Sequence, residues 1–345
     1  MVPDVAELEQ QARAALAASV YDFYAGGSGR EAALRANVKA WRRCRLLPRV
    51  LRDVSRVDTS LALAGAVLRT PVAVAPTAFH ALAHPEGELA TAVAAARAGA
   101  LFVLSTRSSR RIEDVGAAVA GAGGSWWFQV YIMRDRELTA GLVRRAVAAG
   151  AAALVLTADA PVLGRKRRDR DELFIPPEQF SANTGPLADP STAEQASDIT
   201  FADISWLAAL AGNLPVLVKG VLRADDAQAC LAAGAAGVIV SNHGGRQLDH
   251  ALPTALALPA VAAAVAAAGP APLVCVDGGV RSGEDVLAAL ASGAAAVFLG
   301  RPVLWALAAG GSDGVQALLT GLTADLAHAM ALAGAAALAD IPGLA

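Results

Sequence analysis

From residue 72 onward, short runs rich in β-branched residues alternate with alanine-rich stretches, and the alternation repeats eight times. Strands of a parallel sheet are buried on both faces, so they read as continuous apolar runs. Helical stretches between such runs are the mark of βα units. The candidate strands are residues 72–76, 101–105, 126–131, 154–159, 216–220, 238–241, 273–277 and 297–300. Eight parallel units are the number that closes a (β/α)8 barrel, and chains of this kind reach 345 residues as one domain. The expected fold is therefore an α/β, (β/α)8 TIM barrel in a single domain over 1–345, with residues 1–70 as an N-terminal cap and 71–345 as the barrel.

The cap reads as helices over residues 4–40, interrupted at Gly26-Gly27-Ser28-Gly29, followed by a β-hairpin around 57–67. A long segment, 160–200, separates the fourth and fifth strands. It contains Pro176, Pro177, Pro186 and Pro190 among Ser, Asn and Asp residues, which disfavours a packed helix pair. Its expected role is a mobile lid or an active-site loop.

Charged residues make up 17% of the chain and the net charge is -2, so the basic excess that binds a phosphate backbone is missing and nucleic acid is not an expected partner. The acidic start, broken by Pro3, lacks the pattern of a signal peptide and suggests a cytoplasmic protein. The apolar stretch 258–268 falls short of the roughly 20 residues that span a bilayer, so no membrane partner is expected. Cys44, Cys230 and Cys275 lie far apart without metal-ligand spacing, which suggests neither disulfides nor a metal site.

In a barrel, catalytic groups collect where the strands end. The strand at 238–241 runs into Ser241-Asn242-His243-Gly244-Gly245-Arg246-Gln247-Leu248-Asp249, which places a base and a fixed cation at that rim. The paired glycines suit a backbone that lets a flat ligand approach closely. Asp159 ends the fourth strand, and an aspartate beside an imidazole stabilises its protonated form. Arg246 has the planar fork that grips a substrate carboxylate. Gln129 and Tyr131 share the inward parity of their strand.

Gly278-Gly279-Val280-Arg281 and Gly300-Arg301 follow the last two strands, where barrels usually bind phosphate, and imply a phosphorylated ligand. Lys219 ends an apolar strand, and three roles fit it: a Schiff-base lysine, a substrate-binding lysine, or a group that stabilises negative charge on a cofactor ring. The plainer alternatives are a surface turn around His243, ordinary turn glycines, a solvent-exposed Lys219 and a core aromatic at Tyr131.

These residues together resemble the FMN-dependent 2-hydroxy acid oxidases and dehydrogenases, the family of glycolate oxidase, lactate oxidase and mandelate dehydrogenase. The resemblance runs through Tyr21-Asp22-Phe23-Tyr24, Ala75-Pro76-Thr77-Ala78, Ala83-His84-Pro85-Glu86-Gly87-Glu88, Phe128-Gln129-Val130-Tyr131 and Leu163-Gly164-Arg165 to the His243 and Asp277-Gly278-Gly279 segments. It implies FMN at the barrel mouth, with the phosphate on Gly279, Arg281, Gly300 and Arg301. The ring would meet Pro76, Thr77, Ala78, Ser105, Gln129 and Thr157. Lys219 would stabilise the reduced ring, and Ser241, His243, Gly244, Asp277 and Gly278 would complete the cofactor site. It also implies His243 as base, Asp159 as its partner, Arg246 as carboxylate clamp and Tyr131 as the phenol that orients the substrate hydroxyl.

On the substrate side, Phe23, Tyr24, Arg107 and Lys166 join Tyr131, His243 and Arg246. Three of these depart from the family pattern. Phe23 stands where most members have a carboxylate-binding tyrosine. Lys166 stands where most have arginine, with Arg165, Arg167 or Arg168 as possible substitutes. Arg107 stands where relatives often have tryptophan or a small residue, and its plain alternative is a pairing with Glu113 or Asp114 away from the site.

Phe23 and the string Ala25-Gly26-Gly27-Ser28-Gly29-Arg30-Glu31 are similar to the hydroxymandelate oxidases of actinobacterial natural-product pathways. The implied activity is oxidation of an aromatic or bulky (S)-2-hydroxy acid to the 2-oxo acid, with O2 reduced to H2O2, in a homotetramer. The alternatives are a quinone or protein acceptor, a smaller acid such as lactate or glycolate, a flavin-free barrel acting through Lys219, and a homologue kept only for binding.

Overall fold

Alternation of side chains along each strand decides where everything in this molecule sits. The computed structural model describes residues 4–168, 173–212, 214–269 and 271–345. A two-stranded hairpin, β1 (Leu61–Leu63) and β2 (Ala66–Leu68), precedes eight strands: β3 (Val72–Val74), β4 (Phe102–Leu104), β5 (Trp126–Val130), β6 (Leu154–Thr157), β7 (Val216–Val221), β8 (Gly237–Val240), β9 (Leu273–Asp277) and β10 (Ala296–Leu299). Each pairs in parallel with the next, and β10 returns to β3 to close the barrel. All eight strands read from the sequence are present, with ends shifted by one or two residues.

One parity of side chains, including Val74, Phe102, Phe128 and Val238, faces the surrounding helices. The other, including Ala73, Val103, Trp127, Leu217, Ile239 and Phe298, fills the barrel interior. Continued past the apolar layers, that inward parity reaches Ser105, Gln129, Thr157, Lys219 and Asp277, so the polar groups gather at the C-terminal mouth.

The hairpin of the cap plugs the opposite end. Leu63, Ala66 and Leu68 belong to the interior cluster, and Arg69 N donates to the carbonyl of Gly99, just before β4. The remainder of the cap serves the mouth through α1 (Val5–Ala15), α2 (Ala18–Ala25) and α3 (Ala32–Trp41). Asn37 on α3 and Asn242 after β8 exchange two amide hydrogen bonds of 2.8 Å, both residues buried. Trp41 Nε1 donates to the carbonyl of Gly278 at 2.8 Å.

Two glycines of these loops make room for the cap. Gly245 has φ +76°, and a Cβ there would lie 2.5 Å from the backbone nitrogen of Leu34. Gly279 has φ +95°, and its Cβ would lie 2.6 Å from the Asn37 backbone. Both therefore admit α3, while Gly244 and Gly279 also line the cavity at the mouth.

The 160–200 segment carries a short helix, Pro177–Phe180, and a 3-10 turn, Pro190–Ala193; residues 169–172 lie outside the described residues. It is tied down at several points. Gln247 Nε2 donates to the carbonyls of Asp159 and Val162, Gly164 N donates to Gln247 Oε1 at 2.8 Å, and Arg134 N donates to the Glu194 carbonyl at 2.9 Å. These bonds favour the active-site loop of the two expected roles. The last long helix, Arg301–Ala333, is broken at Gly310 and Gly311, and Val315, Leu318, Leu319 and Leu322 pack it into the core.

Candidate active site

A cavity of about 790 Å³ opens at the C-terminal ends of the strands. His243 lines it. Its backbone is left-handed (φ +58°), an unusual conformation for a non-glycine residue, and its amide donates to Ser241 Oγ at 3.0 Å. The ring Nδ1 lies 2.9 Å from Asp159 Oδ1. Burial alone would raise the Asp159 carboxyl, but His243 and Lys219 outweigh it and hold the carboxyl below its ordinary value. An ionised carboxylate only accepts, so Nδ1 carries the proton and Nε2 is the basic nitrogen.

Lys219 is 4% exposed, lies 3.3 Å from Asp277 Oδ2 and donates to Ser241 Oγ at 3.0 Å. Burial would discharge it, yet Asp277, Asp159 and Tyr131 raise its pKa above the ordinary value, so it enters the cavity as a fixed positive charge. This excludes the solvent-exposed lysine, and a raised pKa is the opposite of what a Schiff-base lysine needs.

Arg281 and Arg301 line the cavity beside Gly279 and Gly300. Arg301 donates to the carbonyls of Tyr24, Gly244 and Gly26, which leaves two of its five N–H groups, and Arg281 spends one on its neighbour Val280. Burial, with Arg246 and Arg281 close by, pushes Arg301 down to about 9. Such a cluster suits an anion, and the helix starting at Arg301 points its N-terminus at the same place. Asp277 Oδ1 is buried without a partner and can accept from a ligand hydroxyl. A flavin mononucleotide, with a dianionic phosphate and a polyol chain, matches these donors and this acceptor.

Pro76, Thr77, Ala78, Ser105, Gly244 and Gly278 line the remaining cofactor side. Three residues expected there stand one layer behind. Gln129 accepts from Ser105 Oγ at 3.1 Å and donates to Thr157 Oγ1 at 2.9 Å, while Ser241 bridges Lys219 and His243. All three are buried and stand behind the residues that line the cavity. They orient wall residues.

On the substrate side, Tyr131 lines the cavity, and burial raises its phenol so that it stays protonated. Arg246 donates through Nη1 to the carbonyls of Phe23 and Gly26 at the C-terminal end of α2, which binds cap to mouth. Its guanidinium lies 5.4 Å from the Phe23 ring centroid, and Lys166 Nζ lies at the same distance. Tyr24 is a wall residue whose hydroxyl donates to the Phe79 carbonyl.

Of the candidates to replace the missing arginine, Arg168 is committed to Glu31 at 2.7 Å and Arg165 is exposed, so Lys166 is the cation at the cavity. Arg107 also lines the cavity, whereas Glu113 pairs with Arg145 at 2.7 Å, which removes the pairing of Arg107 with Glu113.

Sequence reading missed the loop side of the pocket. Phe79 and Phe180 stack with centroids 6.1 Å apart, and Val162, Leu163, Glu194 and Gln195 complete that wall. Only the proline-rich length of the segment hinted at them.

The FMN-dependent dehydrogenase family matches residues 12–344. L-lactate oxidase of Nostoc sp. is 44% identical over 351 residues, covering 97% of this chain and 95% of that protein. 4-hydroxymandelate oxidase of Amycolatopsis orientalis is 45% identical over 342 residues, covering 96% and 94%. The crystal structure of mandelate oxidase with benzoyl-formic acid superposes with a TM-score of 0.91 at 43% identity, covering 99% of this chain and 97% of that one. Agreement over nearly the full length, on a barrel whose mouth carries a base and an anion-binding cluster, means that this chain belongs to the FMN-dependent dehydrogenase family and uses FMN.

Proposed function

We propose that the protein oxidises an aromatic or similarly bulky (S)-2-hydroxy acid of the mandelate type to the 2-oxo acid and passes the electrons to O2, giving H2O2. The observation that carries this reading is the His243–Asp159 pair at 2.9 Å on a cavity that also holds Arg246, Tyr131 and Lys219. Arg246 and Lys166 supply positive charge for the carboxylate. His243 Nε2 accepts a proton from the substrate, and Asp159 stabilises the imidazolium that results. Tyr131, held protonated, is a donor to the substrate oxygen.

Gly279, Arg281, Gly300 and Arg301 would hold the FMN phosphate, and Thr77, Ala78, Ser105 and Lys219 would meet its ring. Bound FMN supplies the acceptor for the two electrons. The stacked Phe79 and Phe180, with Val162 and Leu163, support an aromatic side chain, as do relatives named for mandelate and 4-hydroxymandelate. Relatives named as oxidases support O2.

The test is an anaerobic comparison of (S)-mandelate, 4-hydroxymandelate, lactate and glycolate by flavin bleaching, followed by readmission of O2. The aromatic acids should have the higher specificity constants, and O2 should restore the yellow colour with formation of H2O2. Glycolate or lactate far ahead of the aromatic acids would overturn the substrate assignment. The assembly we propose is a homotetramer, supported by the family resemblance alone, and the cytoplasm is its proposed location. A solution mass equal to one 34.8 kDa chain would contradict it.

A further inference from the structure

Among the described residues, Arg107 is a cation of the mouth that neither FMN nor the reacting carboxylate accounts for. Lys219 faces Asp277 at 3.3 Å and Arg134 faces Glu194 at 2.9 Å. Arg281 and Arg301 belong to the phosphate cluster, and Arg246 and Lys166 flank Phe23. Among the described residues no carboxylate forms an ion pair with Arg107.

Its guanidinium is nonetheless held in place. Nη2 donates to the carbonyl of Ala193 at 2.7 Å, and the group lies 5.6 Å from the centroid of Phe180, so two loop residues fix it against the cavity. The backbone is fixed as well, because Arg107 N donates to Ser105 Oγ at 3.1 Å and its carbonyl accepts from Phe79 N at 3.0 Å. Arg107 and Arg246 both act electrostatically on the Tyr131 phenol, so the two cations share one chamber. Desolvating a guanidinium beside aromatic rings is unfavourable until an anion reaches it. Burial pulls Arg107 down, and Tyr131 and Glu194 offset this only in part.

We propose that Arg107 is a second anion clamp, and that the substrate is an aryl 2-hydroxy acid carrying its own carboxylate remote from the reacting carbon. The flat part lies along the wall that Phe79 and Phe180 form, and the distal carboxylate meets the guanidinium held over the Phe180 ring. This rests on the 2-hydroxy acid oxidase reading and narrows it.

The experiment measures anaerobic flavin reduction by mandelate and by 4-carboxymandelate, in the wild type, Arg107→Leu and Arg107→Lys. In the wild type, 4-carboxymandelate should exceed mandelate in specificity constant by about tenfold or more, the scale expected for one desolvated charge pair. Arg107→Leu should cut that ratio by at least about tenfold, and Arg107→Lys should restore part of it. A wild type that prefers mandelate, or a Leu variant with an unchanged ratio, would overturn the clamp. Should the Leu variant lose its flavin, the wild-type ratio and the Lys variant decide. Flavin that no 2-hydroxy acid bleaches would sink the oxidase reading itself, a result distinct from reduction by mandelate without preference.

Discussion

Asp159 does two things through a single hydrogen bond: it fixes the His243 tautomer and keeps a negative charge beside a ring that becomes positive in the reaction we propose. Asp159→Asn should lower the rate of flavin reduction on the order of 100-fold or more, with FMN still bound, as measured by rapid mixing. The same residue links stability to pH. Its folded pKa lies below the ordinary 3.8, so its contribution is fully present above that value and is lost as pH falls through the folded pKa. The urea midpoint of the wild type relative to Asp159→Asn should therefore differ most near neutral pH, and the gap should shrink below about pH 4. A gap that widens in acid would show that the pair does not hold the proton as described. His243, Asp159 and Lys219 were legible in the sequence because strand parity and strand ends place them. The purpose of Gly245 and Gly279 was not, since their neighbours Leu34 and Asn37 are more than 200 positions away.

At the level of elements, α3 acts as a bolt across the loops that carry the base and the phosphate cluster. Asn37→Ala would remove two hydrogen bonds from the buried Asn242 amide and leave it only those to Leu252 and Gly245, costing about 1–3 kcal/mol in chemical denaturation. Gly245→Ala would place a methyl group into the backbone of Leu34 at a left-handed φ, with a loss of about 1–3 kcal/mol. Both variants should also bind FMN more weakly, as read by flavin release on dialysis, because α3 touches the Gly278 and Gly279 segment. The eight strands were legible because burial on both faces writes itself as apolar runs. The loop residues Phe180 and Glu194 were not, because nothing in local sequence states which wall a long segment covers.

For the whole molecule, the cap works at both ends: helices steady the mouth and a hairpin closes the floor. Leu63, 1% exposed, sits in the interior cluster, so Leu63→Ala should destabilise the barrel by about 2–5 kcal/mol while leaving the flavin spectrum unchanged. A full cost in stability together with a perturbed spectrum would mean that floor and mouth are not separate. The sequence showed a cap and a hairpin but not this division of labour, which depends on long-range packing. In the reaction we propose, His243 takes the proton while other residues hold FMN. The most direct measurement is anaerobic mixing of (S)-mandelate with the wild type and with His243→Ala, following the flavin absorbance. The wild type should bleach and the variant, equally yellow, should not; bleaching of the variant at the wild-type rate would rule out His243 as the proton acceptor.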